Sequence, residues 1–120
     1  MREVFERIEI LKQAGFVDEN DAESLKNVVA LIEHECGPAE SDEHIGIIIT
    51  HIAAALKRNV EEEEIAPINQ QALEEVYASP VFPKANRIAN DISDMFAERL
   101  SKDEFGFVLV HIAGLLVAHQ

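Results

Sequence analysis

Cysteine occurs once in this chain of 120 residues, at Cys36. One thiol cannot close an internal disulfide, and its scarcity fits a reducing cytoplasm. Cation is also scarce. Ten Lys and Arg stand against 23 Asp and Glu, for a formal charge of −13. Phosphate backbones and anionic membrane surfaces need local positive charge, so direct nucleic-acid or membrane binding is disfavoured. Long apolar runs are missing as well. The most apolar stretch, "FGFVLVHIAGLLVA" from Phe105 to Ala118, is too short to span a bilayer and is interrupted by His111. No glycine-rich phosphate loop is present. The opening "MREVFERIE" is charged and periodic, unlike a signal peptide.

Apolar residues make up 48% of the chain, which argues against disorder. A chain of this length buries roughly 65% of its unfolded surface and predicts one domain over residues 1–120. Apolar stripes at spacings of three and four predict helices and no strand. The first covers Glu3 to Lys12, with Val4, Ile8 and Leu11 inward, and Gly15 breaks it. The second is capped by Asp18 or Asn20 and runs to His34, with Leu25, Val28, Val29 and Ile32 inward. Gly37 and Pro38 stop it.

A third helix starts after Ser41, where Asp42 and Glu43 suit the positive end of its dipole. Ile45, Ile48, Ile49, Ile52 and Leu56 form its stripe. The β-branched "IIIT" suits a strand, but the spacing and the Ala-rich continuation favour helix. "VEEEEIAPIN" then links the halves, with Glu61 to Glu64 solvated. A short helix over Gln70 to Ala78 ends at Pro80, and Tyr77 and Phe82 pack that turn. A fifth follows Pro83, with Ile88, Ile92, Met95, Phe96 and Leu100 inward. The last begins after Ser101 and buries Phe105, Leu109, Ile112 and Leu116. The expectation is an all-α fold, a single compact bundle of five to six helices.

Two of these helices echo each other. "SDEHIGIIITHIAAAL" (Ser41–Leu56) and "SKDEFGFVLVHIAGLL" (Ser101–Leu116) lie 60 residues apart and share Ser, Gly, His, Ile, Ala and Leu at matching places. On a helical wheel His51 falls about 240° from Ile45, at the border of the stripe, and His111 stands likewise to Phe105. A border histidine most simply makes hydrogen bonds. A neutral imidazole there is also a phosphoryl acceptor near neutral pH. Its phosphorylation would place strong negative charge beside packed surfaces. His34, Cys36 and His44 lie close in sequence, but no ligand or nucleophile signature accompanies them. No catalytic residue, metal site or cofactor is predicted.

"THIAAALKR" resembles the first histidine motif of the PRD, the phosphotransferase-system regulation domain, through His51, Ile52, Ala55 and Arg58. "LSKDEFGFVLVHI" resembles the second motif, through Glu104, Phe105, Gly106, His111 and Ile112. The resemblance covers about residues 3 to 118. It departs at Thr50, where many relatives carry Asp, and at Gly114, where many carry a polar residue.

The resemblance implies a helical bundle that forms a homodimer. It implies that His51 and His111 accept phosphoryl groups from the phosphocarrier protein HPr or from sugar-specific EIIB proteins. Arg58, two turns beyond His51, would contact a phosphoryl group or an interface. With no nucleic-acid-binding domain expected, output would pass through an unidentified protein partner. The alternative is a dimeric helical interaction protein whose histidines serve only hydrogen bonding or pH sensing.

Overall fold

The structure is a computed structural model that describes residues 3–36, 42–61, 70–97 and 99–118, without the side chains of 42 and 58–61. These residues form six α-helices and no strand: α1 Glu3–Gln13, α2 Glu19–Cys36, α3 Asp42–Glu61, α4 Gln70–Tyr77, α5 Phe82–Met95 and α6 Lys102–Ala118. The all-α expectation holds, and the "IIIT" segment is helical. The helices divide into two units, Met1–Glu64 and Ile65–Gln120. The expected helix stop at Gly37 and Pro38 and the solvated Glu62 to Glu64 lie outside the described residues.

In the first unit α1 packs on α3 and α2, and α2 packs on α3. The buried stripes are Val4, Ile8 and Leu11 of α1, Leu25, Val28, Val29 and Ile32 of α2, and Ile45, Ile48, Ile49, Ile52 and Leu56 of α3. Burial of each large aliphatic side chain contributes roughly 1.5–3 kcal/mol before the cost of ordering the chain. Asp18 caps α2, its Oδ1 accepting from the Asp21 N–H at 2.7 Å. Lys57 on α3 reaches across to Phe16 after α1, with its ammonium 5.3 Å from the ring centroid.

In the second unit α6 packs on α5 and α4. Tyr77 and Phe82 meet edge to face across the α4–α5 turn, with centroids 5.3 Å apart. Helix α5 ends at Met95, earlier than its apolar stripe suggests. Phe96 and Leu100 are nonetheless buried, because the chain folds back on the unit after the helix stops. Ser101 caps α6, its hydroxyl accepting from the Glu104 N–H at 3.3 Å.

Two helix ends turn through a left-handed residue, a glycine in one and an alanine in the other. After α1, the Gly15 N–H donates to the Lys12 carbonyl and the Phe16 N–H to the Leu11 carbonyl, a Schellman pair with Gly15 at φ 85°. After α5, the Ala97 N–H donates to the Asp94 carbonyl with Ala97 at φ 54°. An L-residue in this left-handed region costs roughly 1–2 kcal/mol. Gly15→Ala is therefore expected to destabilise by about 1 kcal/mol. Ala97→Gly is expected to stabilise by about 0.5–1 kcal/mol, once the freer unfolded chain is counted. Urea denaturation of the two variants checks both signs.

Candidate functional site

His51 stands on α3, at the edge of the buried stripe where the wheel places it. The side chain is half-buried. Its Nε2 is shielded from solvent, with less than 1 Å² accessible. The neighbours Ile52, Ala53 and Ala55 are all buried, so the backbone beneath the ring is fixed by packing on both sides.

The residue before it makes a contact that the sequence does not announce. The Arg7 Nη1 on α1 donates to the Thr50 hydroxyl on α3 at 3.3 Å. Arg7 also pairs with Glu3, one turn earlier, at 3.6 Å. Its guanidinium lies over Gly46, where a Cβ would meet Arg7 Nη1 at 3.1 Å. Gly46 thus lets a planar cation lie close against α3, one turn before Thr50. Beside this contact Glu3, Glu6, Arg7, Ile10, Leu11 and Thr50 line an open groove of about 400 Å³.

Gly46→Ala gains helix propensity of about 1 kcal/mol and displaces the flexible tip of Arg7. The lost hydrogen bond to a charged group offsets that gain, so net stability is expected to change by less than about 1 kcal/mol. The signature is coupling. Thr50→Val should destabilise the parent but not the Gly46→Ala background, as a double-mutant cycle of denaturation curves will show.

His111 stands on α6, in the second unit, and is also half-buried. Its ring contacts Phe107, one turn earlier, with centroids 4.3 Å apart and a tilt of 37°. Two turns before His111, Glu104 is only 5% exposed. One carboxylate oxygen accepts from the Ser101 hydroxyl at 3.2 Å, the same hydroxyl that accepts from the Glu104 N–H. The other oxygen is shielded and takes no hydrogen bond among the described residues. Phe105, expected in the core, is half-buried, and Glu104 takes a buried position beside it.

Arg58 belongs to α3, two turns after His51, and its side chain lies outside the described residues. Cys36 is buried, whereas His34 and His44 are exposed. Among the described residues no group of three or more His, Cys, Asp or Glu is placed to hold a metal. No helix among them is long and apolar enough to cross a membrane.

A family profile described as "PRD domain" matches residues 26–115, three quarters of the chain, and spans both histidines. The chain belongs to the PRD family. A curated relative, "Uncharacterized protein YhfY" of Escherichia coli (strain K12), is 29% identical over 112 residues, 93% of each chain. No solved structure matches. The PRD match begins inside α2, so α1, with Arg7 and most of the groove, lies ahead of it. Periodicity marked His51 and His111. The only signal for Arg7 was a glycine, Gly46, inside a strongly helical stretch.

Proposed function

We propose that this PRD protein is a phosphotransferase-linked regulator whose His51 and His111 accept phosphoryl groups from HPr or an EIIB protein. The observation that carries the reading is positional. Each histidine is half-buried at the edge of the apolar stripe on the last helix of its unit, inside the span that matches the PRD family.

The chemistry is a transfer between nitrogens when the donor is a phosphohistidine. The donor's N–P bond breaks as a bond forms from phosphorus to an imidazole nitrogen of the acceptor. A proton passes the other way, leaving the donor imidazole neutral. The acceptor gains about −1.5 to −2 charge at neutral pH. Beside packed helices that charge is the lever for changing a homodimer or a contact with an output protein. Arg58 is the cation proposed to answer it from two turns away on α3. We read residues 1–120 as one regulatory domain acting in the cytoplasm, a reading supported by a family match that runs through both units.

Two observations favour a second reading. The shielded Nε2 of His51 and the Phe107 contact of His111 also suit histidines that only pack and hydrogen-bond within a dimeric interaction protein. Phosphorylation separates the two. The protein is incubated with phosphoenolpyruvate, Enzyme I and HPr, then with EIIB proteins, and its intact mass is read without acid. A gain of one or two phosphoryl groups, about 80 Da each, is expected. His51→Ala and His111→Ala should each remove one. No gain from any donor, with folded protein and a working PRD control, would leave the interaction-protein reading.

A further inference from the structure

Helix α1 leaves a large apolar side chain outside. Ile10 is 65% exposed, while Val4, Ile8 and Leu11 of the same helix are buried. Helix α3 does the same with Ile47, 41% exposed among buried isoleucines. A single exposed isoleucine needs no explanation. These two belong to one place. Ile10 lines the 400 Å³ groove together with Thr50. Ile47 lies one turn before Thr50 and His51 on α3, within about 60° of both around the helix.

Acid outnumbers base on this face. Glu3 and Glu6 line the groove, and the Glu3 side chain is 71% exposed. The groove's cation, Arg7, is turned to internal work, since it lies on Gly46, bonds Thr50 and pairs with Glu3. An arriving molecule therefore meets exposed isoleucine, an apolar floor at Leu11 and the Glu6 carboxylate at the rim, with Glu3 held by Arg7.

We infer that the α1–α3 face is the docking surface for the phosphoryl donor, a protein that presents lysine or arginine beside an apolar side chain. The inference rests on the reading of His51 as an acceptor. Charge selects the occupant. A second copy seated face to face on this surface would set Glu3 and Glu6 against their own counterparts, and like charges across an interface oppose association. A basic partner is steered toward the same acids at low salt. Its apolar side chain enters the groove against Ile10 and Leu11, beside the hydroxyl of the residue that precedes His51. The surface draws mainly on α1, which lies ahead of the span that the family profile matches.

The test is a titration of the ¹⁵N-labelled protein with unphosphorylated HPr, and then with EIIB proteins, read by amide chemical shifts at low and high salt. Shifts are expected at Glu6, Ile10, Ile47 and Thr50, weakening as salt rises. The double variant Glu3→Lys/Glu6→Lys should bind at least tenfold more weakly with its melting temperature retained, and Ile10→Ser should do likewise. Shifts confined to other faces, or no binding by any of these proteins, overturn the inference. So does movement of the same resonances on diluting the protein alone, which would assign the face to a second copy. The transfer assay is scored separately. Binding at the groove without any mass gain keeps the docking surface and defeats the acceptor reading.

Discussion

Replacing Phe96 with alanine is expected to lower stability by about 3–5 kcal/mol. Phe96 is 1% exposed and heads the fully buried side chains by volume. It occupies the C-cap of α5, so its ring anchors the chain where the helix gives way to the turn at Ala97. Truncation leaves a cavity that a close-packed core refills only in part. Whole domains are stable by roughly 5–15 kcal/mol, so the loss is a large share of the total. Ile8→Ala, in the other unit, is expected to lower stability by about 2–5 kcal/mol. The pair also tests the one-domain reading. Urea curves should show a single transition that both substitutions move to lower midpoints with little change in slope. Two separated transitions, each answering to only one substitution, would sink that reading.

Phosphorylation of His51 is expected to lower the melting temperature by roughly 3–18 °C. The Nε2 of His51 has less than 1 Å² of accessible area. A phosphoryl group there carries about −1.5 to −2 charge, which cannot stay unsolvated at small cost. Either the imidazole turns outward or the packing around α3 opens. Desolvation of an imperfectly paired polar group costs about 1–3 kcal/mol on protein scales. For a chain of this size each kcal/mol corresponds to roughly 3–6 °C. The measurement compares phosphorylated and mock-treated protein in a His111→Ala background, so that only His51 is modified. An unchanged melt at full occupancy would show that the group reaches solvent without disturbing the helix. The switch would then have to work through surface charge alone.

Most of the helical framework was legible because it is written locally. The stripe Ile45, Ile48, Ile49, Ile52 and Leu56 is buried in full, and Asp18 caps α2 from the first of the two candidate positions. Periodicity also placed His51 and His111 at half-buried borders. It misjudged where α5 ends. A residue that packs back after a helix continues the apolar count as well as one still on the helix, so Phe96 and Leu100 lengthened the apparent stripe. It also misjudged the start of α6. Glu104 enters the sequence reading only as a residue of the second histidine motif, yet the Ser101 hydroxyl satisfies one oxygen and the carboxylate is buried beside a half-buried Phe105. The Arg7–Thr50 contact joins residues 43 apart in sequence, and no local rule reaches across that distance.

The 60-residue echo acquires a meaning once the units are seen. Its two copies are the closing helices of the two units, so each unit carries one candidate acceptor in its own packing environment, His51 beside an arginine-bridged α1 and His111 beside Phe107. Equivalent sites in unlike surroundings do not react at equal rates. If both histidines take phosphoryl groups, the protein has four covalent forms, not two. A cell reading them could distinguish which donor was active as well as whether any was, and 120 residues would hold two bits of memory.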